Sequence, residues 1–556
     1  METKLSPRRR FWLLLKPDWL EIRNLYIYAI IIGLLNLVLP IGIQSIINLI
    51  QGGAISTTWI VLIILVAGAI GLSGILQINQ LRITENLQQK IFTRAAFEFT
   101  YRIPRIRLEQ LFKQYAPELM NRFFDVISIQ KGMTKILIEF SSASIQVLFG
   151  LILLSLYHPF FIVFSLLLVI MIGAIFLFTM RPGLKTSLEE SKHKYRIVHW
   201  LEEIARSNTT FKLSGNSDLA MTRTNDQVVN YNDSREKHFV VLRLQYSLMV
   251  IFKVLVAVGL LLIGGLLVID QQMNIGQFVA AEIVILLIVS SVEKVILSFE
   301  TIYDVLTALE KLGQVTDMEL EKEGGIILNG DSKGIKVDIN DVSYRYPQEQ
   351  KMTIKNVSIS ISPSERVLIT GQNDSGKSTL LYLVSGLLSP INGSITAQDI
   401  PVNNLNFHSL RSQIGGYLRD ETLFEGTFIE NITLGREGIT MKNVKWAIDS
   451  VGLKNLVAHL PQGYDTPIIP QGKQFSKSTV AKILIARTIV NKPRLLLLEN
   501  SFSVFSPEDR NQILEFILDR KYDWTVLISS SQPIGFSDLI DKEIVLKNGI
   551  VSNEKN

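Results

Sequence analysis

The sequence predicts an α-helical membrane domain of six transmembrane helices with cytoplasmic extensions, followed by an α/β P-loop NTPase domain. Three observations carry this expectation. Six apolar runs of about 20 residues occupy the N-terminal half, each long enough to span a bilayer. Lys and Arg crowd the long connections between these runs and are absent from the short ones. Further on, a G-x-x-x-x-G-K-[ST] loop sits between a short apolar strand and a helical segment.

Composition agrees. The chain has 556 residues, of which 47% are hydrophobic and 19% charged. Soluble domains carry about 25% charge, so the balance leans toward a membrane. The length exceeds what one core supports and implies at least two domains. A formal net charge of +5 suits a nucleic acid or a membrane surface, and the placement of the charges decides between them. There is no cysteine, which excludes disulfides, thiolate metal sites and a thiol nucleophile.

The expected spans are Leu25–Ile50, Thr58–Ile78, Ile136–Leu156, Phe160–Met180, Tyr246–Ile269 and Ile275–Leu297. Short links without Lys or Arg join them in pairs, at Gln51–Ser56, Tyr157–Pro159 and Gln271–Asn274. The connections Leu81–Lys135 and Arg181–Arg243 are long and basic. By the positive-inside rule both connections and both termini face the cytoplasm, which places a multi-pass protein in the cytoplasmic (inner) membrane. This distribution accounts for the basic charge with no nucleic acid partner. Ser6-Pro7-Arg8-Arg9-Arg10-Phe11 is similar to a twin-arginine export signal, but Lys16, Asp18, Glu21 and Arg23 interrupt the place of an apolar signal core. The expectation is a cytoplasmic segment, 1–24, flanking the first span.

Within the long connections, Ile83–Phe112 and Ser187–Leu213 carry apolar residues at helical spacing. Unstructured connections of such length are unusual. The spans are therefore expected to run on into the cytoplasm and fold back, with turns at Tyr101–Pro104 and Lys212–Gly215. The membrane domain, 25–318, closes with an amphipathic helix at Glu300–Asp317. A polar linker follows at 319–334. From 335 to 556, β-rich and helical runs alternate, the pattern of an α/β domain. Lys253 and Glu282 fall inside the fifth and sixth spans, where a central charge costs about 2.5–3.5 kcal/mol without water or a partner. Lys253 is expected to snorkel or to lie on a cytoplasmic extension. Glu282 is open between a cavity role and a structural one, and their different depths argue against a direct pair. Asn36, Gln44 and Asn48 are expected to join helices.

The loop Gly371, Gln372, Asn373, Asp374, Ser375, Gly376, Lys377 and Ser378 follows a strand at Arg366–Thr370 and precedes a helix at Thr379–Gly386. Its glycines let backbone N–H groups curl toward phosphate oxygens, and the helix N-terminus adds partial positive charge. Lys377 is expected to reach the β- and γ-phosphates of ATP, and the Ser378 hydroxyl to ligate Mg2+.

Tyr344-Arg345-Tyr346-Pro347, the phosphate loop, Gly426–Ile432, Ile485-Ala486-Arg487 and Pro493–Leu498 follow one another in a familiar order. With six spans upstream, the chain resembles an ABC transporter of the half-size exporter type. The resemblance implies that Tyr346 stacks on adenine and that the two folded-back turns are coupling helices. It also implies an obligate dimer, either a homodimer or a heterodimer with another half-transporter, in which one chain's phosphate loop meets the other's signature.

Several family positions are altered. The γ-phosphate-sensing glutamine falls at Arg419. The signature reads Phe475-Ser476-Lys477-Ser478-Thr479, and the Walker B end reads Glu499-Asn500. The D-loop aspartate falls at Ser506 and the switch histidine at Ser531. No catalytic position among Arg419, Asn500 and Ser531 is intact. Glu499 keeps a carboxylate for Mg2+. Asn500 cannot take a proton from water, a role worth about 10²–10⁴ in rate. Ser531 cannot replace an imidazole, while the cation of Lys477 offsets part of the lost signature. The resulting expectation is ATP-linked export of an unidentified substrate by alternating access, with weakened hydrolysis in this chain's own site. The alternative is a non-hydrolysing nucleotide-binding or structural subunit of a transport or secretion complex. No peptidase-like domain is expected ahead of the first span, which leaves lipid, drug, small peptide or type I secretion cargo open.

Overall fold

The computed structural model describes residues 5–52, 57–112, 116–330, 333–499, 502–531 and 537–555. The chain divides into two compact units. One is Met1–Pro104 with Gln114–Met318, the other Arg105–Lys113 with Glu319–Asn556.

The first unit is helical. Its N-terminal segment is not a bare tail: α1 (Pro7–Leu15) is capped by Ser6, and Arg10 Nη1 donates to Asp317 Oδ1 at 2.8 Å. Two of the charges that break up the apolar pattern here, Asp18 and Glu21, find partners on the helix Thr57–Arg102. Lys90 Nζ lies 2.5 Å from Glu21 Oε1, and Arg94 pairs with Asp18. The expected first span is two helices, α2 (Trp19–Asn36) and α3 (Val38–Gln51), broken at Leu37. Pro40 explains the break, because it has no N–H for the Asn36 carbonyl.

There follow α4 (Thr57–Arg102), then α5 (Leu108–Leu111), which belongs to the second unit, and, back in the first, α6 (Ala116–Met120), α7 (Asp125–Thr134), α8 (Ser141–Tyr157), α9 (Pro159–Arg206), α10 (Asn208–Leu213), α11 (Leu219–Ile269) and α12 (Ile275–Thr316). A π-helical turn at Lys135–Phe140 joins α7 to α8. Six helical stretches among the described residues are long and apolar enough to cross a membrane. With 48 and 51 residues, α9 and α11 are each about 75 Å long, more than twice a hydrocarbon core. They run far beyond any bilayer, as the helical spacing of the connections predicts. The chain reverses after α10 at Gly215, whose φ of +64° suits a residue without Cβ. The amphipathic helix expected at Glu300–Asp317 is continuous with the sixth span and forms the end of α12, whose N-terminus is set by an Asn274–Gln277 capping box.

Small residues allow close packing. A Cβ on Gly183 would lie 2.4 Å from the Tyr303 ring, and one on Gly132 would lie 2.1 Å from Val305. Tyr303 is fully buried, with its hydroxyl accepting from Gln245 Nε2 at 2.6 Å. Polar residues in the first span bond across helices: Asn36 Nδ2 donates to Gln146 Oε1 at 3.0 Å, and Tyr157 OH donates to Gln44 Oε1 at 2.9 Å. Asn48 packs on the backbone of Gly276. Lys253 does not merely snorkel. Its ammonium is 2.6 Å from Glu293 on α12, the next helix along. Glu282 is exposed on α12.

The second unit is α/β. A six-stranded sheet runs in the order β12-β11-β3-β10-β9-β6 and a four-stranded one in the order β2-β1-β4-β5. The strands are β1 (Val337–Tyr344), β2 (Ile354–Ile361), β3 (Arg366–Thr370), β4 (Asn392–Ala397), β5 (Ile400–Pro401), β6 (Ile414–Tyr417), β7 (Gly426–Thr427), β8 (Pro467–Ile468), β9 (Leu495–Glu499), β10 (Thr525–Ser530), β11 (Lys542–Lys547) and β12 (Ile550–Lys555). Five adjacent strands, β11, β3, β10, β9 and β6, are parallel. Of these, β3, β10 and β9 are buried on both faces, which is why Leu495–Leu498 reads as one apolar run. The helices are α13 (Lys377–Val384), α14 (Phe407–Ser412), α15 (Phe428–Thr433), α16 (Met441–Ser450), α17 (Lys454–His459), α18 (Lys477–Ile489) and α19 (Pro507–Leu518). The expected linker at 319–334 is no free tether. Leu320 bridges to Ile106, Ile326 bridges to Leu405, and Leu328 is buried in the core.

Candidate functional site

Parallel pairing decides where the chemistry gathers. Ser529 stands opposite Glu499 and Ser530 opposite Thr370, so the carboxyl ends of β9, β10 and β3 share one edge. In open α/β sheets ligands bind outside this edge. Here a cavity of about 1110 Å³ opens, lined among others by Tyr346, Lys377, Ser378, Arg419, Glu499 and Ser531.

The phosphate loop leaves β3 and turns into α13. Gly371 has a φ of +149°, and a Cβ there would lie 2.2 Å from the Leu546 carbonyl oxygen. Gly376, at +101°, would bring a Cβ within 2.9 Å of the Thr353 carbonyl oxygen. Both positions therefore demand glycine. Asn373, Asp374, Ser375 and Gly376 line the cavity, whereas Gly371 and Gln372 serve through their carbonyls. Each of those carbonyls accepts from Lys377 Nζ at 2.7 Å. Burial pulls the Lys377 ammonium below the usual lysine value, and Asp374 and Glu499 act the other way. The ammonium is thus folded back over the loop, where a phosphate oxygen can replace a carbonyl.

Ser378 Oγ donates to Glu499 Oε1, and the second carboxylate oxygen accepts from the Arg419 backbone N–H at 2.9 Å. A hydroxyl and one carboxylate, side by side at a phosphate loop, suit Mg2+. That ion takes few protein ligands and completes its shell with phosphate and water. Among the described residues no group of three His, Cys, Asp or Glu forms a cation cage. Tyr346 OH lies 3.0 Å from Thr379 Oγ1, and its ring meets Phe112 edge-on at 5.0 Å between centroids. Burial raises its phenol above the ordinary tyrosine value. The Tyr346 ring is thus a fixed wall against which a flat base can stack.

Ser531 is exposed at the cavity, and Asn500 lies outside the described residues. Ser476, Lys477 and Ser478 do not line this cavity. Ser476 caps α18 and accepts from the Thr479 N–H at 3.1 Å, which puts Lys477 and Ser478 in its first turn. Ser506 likewise caps α19 through the Asp509 N–H at 3.2 Å. Sequence reasoning missed Tyr417, Ser529 and Asn548, all of which line the cavity. The one visible signal was Asn548-Gly549, a turn pair whose return from β11 borders the loop.

Residues 354–503 match the family model described as ABC transporter, and residues 23–292 match the ABC transporter transmembrane region. An uncharacterised ABC transporter ATP-binding protein of Bacillus subtilis is 33% identical over 241 residues, covering 43% of this chain and 41% of that protein. The cyclolysin secretion/processing ATP-binding protein of Bordetella pertussis is 28% identical over 298 residues, covering 54% and 42%. The matched stretches thus span less than half the length of these relatives. A solved bacterial Atm1-family ABC exporter with ATP bound shares the fold, with a TM-score of 0.84 at 18% identity, over 98% of this chain and 95% of that one.

Proposed function

The chain belongs to the ABC transporter family, with membrane region and ATP-binding domain fused in one polypeptide, and from this premise we propose that it exports a substrate across the inner membrane as half of a dimer. It is a multi-pass membrane protein. Its ends and both long basic connections lie in the cytoplasm. ATP binds in the cavity at the carboxyl edge of the central sheet. Lys377 and the loop N–H groups hold the phosphates, and Tyr346 faces the base. Ser378 and Glu499 hold Mg2+, which would supply charge neutralisation when bound. Lys477 and Ser478, at the start of α18, face the second protomer's nucleotide.

The observation that supports this reading most is the Ser378–Glu499–Arg419 arrangement at the phosphate loop. The same carboxylate is followed in sequence by Asn500, which cannot take a proton from water, and Ser531 at the cavity carries no imidazole. Hydrolysis in this chain's own site is therefore weak. Similarity to the cyclolysin secretion protein makes a secreted polypeptide the first substrate class to test.

The test is ATP hydrolysis by the purified chain in lipid nanodiscs, with and without Asn500→Glu. Restoring a base should raise the rate about 10²-fold or more. An unmodified chain that already turns over like an ordinary exporter would overturn weak hydrolysis. Absence of ATP binding would overturn the nucleotide site itself.

A further inference from the structure

We propose that Arg419 is a ligand of the terminal phosphate of ATP, and that its fixed positive charge lets this chain hold ATP with little dependence on magnesium. The inference rests on the nucleotide-site reading above and concerns a side chain which that reading leaves unused.

The position of Arg419 is set by the sheet. β6 lies beside β9 in parallel register, with Tyr417 opposite Leu498. The chain leaving β6 therefore passes alongside Glu499, the next residue of β9. There the Arg419 N–H is held by Glu499 Oε2 at 2.9 Å, while the other oxygen of the same carboxylate takes the Ser378 hydroxyl. The backbone of Arg419 is thus one carboxylate away from the hydroxyl that ends the phosphate loop.

Its side chain is exposed at the cavity and makes no hydrogen bond or ion pair among the described residues. The other charges at this place are committed. Lys377 is bound to two carbonyls, and Glu499 accepts from two donors. A guanidinium carries five donors in a planar fork that matches two phosphate oxygens at once. It needs no rearrangement of the fold to turn onto a phosphate beside Ser378.

The consequence is electrostatic. In nucleotide binding, a divalent cation offsets charge on the terminal phosphates. Arg419 offsets the same charge from the protein side, in a chain whose Asn500 cannot deprotonate an attacking water. A site so arranged holds ATP more than it spends it.

Equilibrium binding of ATP to the full chain in nanodiscs, in magnesium and in EDTA, tests this for the unmodified protein and for Arg419→Gln. The unmodified chain should lose less than about tenfold in affinity on chelation. Arg419→Gln should lose about ten- to hundredfold more in EDTA, the worth of a charge-assisted hydrogen bond. ADP, lacking the terminal phosphate, should be nearly indifferent to the substitution. Equal melting temperatures without nucleotide show that the variant is folded. Should both proteins lose ATP equally on chelation, Arg419 is not a phosphate ligand, and the nucleotide site stands. Should neither bind ATP even in magnesium, the nucleotide reading itself falls.

Discussion

Lys253 Nζ on α11 lies 2.6 Å from Glu293 Oε2 on α12, joining two membrane-capable helices by a charge pair. Removing one partner strands the other, whereas removing both removes the need for pairing. Lys253→Met should therefore lower stability by about 1–3 kcal/mol. Lys253→Met with Glu293→Leu should recover most of that loss. Thermal unfolding in one fixed detergent measures both, and a double variant as weak as the single would show that the pair is incidental.

Close approach of α9 and α12 depends on Gly183, over which the Tyr303 ring sits. Gly183→Ala should cost about 1–3 kcal/mol, because the buried ring has nowhere to move. On the same helix, a Cβ at Gly173 meets nothing within 4 Å, so Gly173→Ala should be neutral or gain slightly from helix propensity. Melting temperatures of the two variants, compared side by side, separate close packing from a general intolerance of change.

At the phosphate loop, Lys377→Ala should weaken ATP about a hundredfold by removing the ammonium that Gly371 and Gln372 hold in place. Ser378→Ala should instead erase most of the benefit of magnesium while leaving binding in EDTA close to unchanged. Titration calorimetry in both buffers distinguishes these two patterns.

Glu421 gives a prediction about pH. Burial pushes its carboxyl up to about 7, although Arg487 lies 3.9 Å away and favours the charged form. Because the folded state binds this proton more tightly than the unfolded one, stability is fullest below the unfolded value and falls as pH rises toward 7. Glu421→Gln should flatten that slope. Between pH 5 and 8 the slope should be worth about 1–2 kcal/mol once solvent screening is allowed for. Unfolding of the full chain across that range, with and without the substitution, reads the difference directly. A slope that Glu421→Gln leaves untouched would assign it to another group.

The elements visible in advance were those encoded locally. Apolar runs as long as Phe160–Met180 must either span a bilayer or be buried, and the spacing from Gly371 to Ser378 permits few other structures. What sequence concealed depends on register between distant segments. Lys253 and Glu293 are forty positions apart, and nothing local aligns α11 with α12. Pro40 was visible, yet proline inside an apolar run does not by itself end a membrane helix. Ser506 reads as a lost aspartate when aligned by motif, but its place in the chain makes it a helix cap. Asn548 reaches the cavity only because β11 pairs with β3.

The short stretch Arg105–Lys113 belongs to the second unit although it follows α4 in sequence. Ile106 bridges to Leu320, Glu109 Oε1 accepts from the Ser389 N–H at 3.2 Å, and Phe112 packs on Tyr346. A recombinant fragment beginning at residue 319 would thus lack a piece of its own wall. It would expose the apolar surface that Leu108 covers and remove the Phe112 ring that meets Tyr346. Supplying residues 105–113 as a synthetic peptide, or grafting them ahead of residue 319, is what such a fragment would need to stay monodisperse.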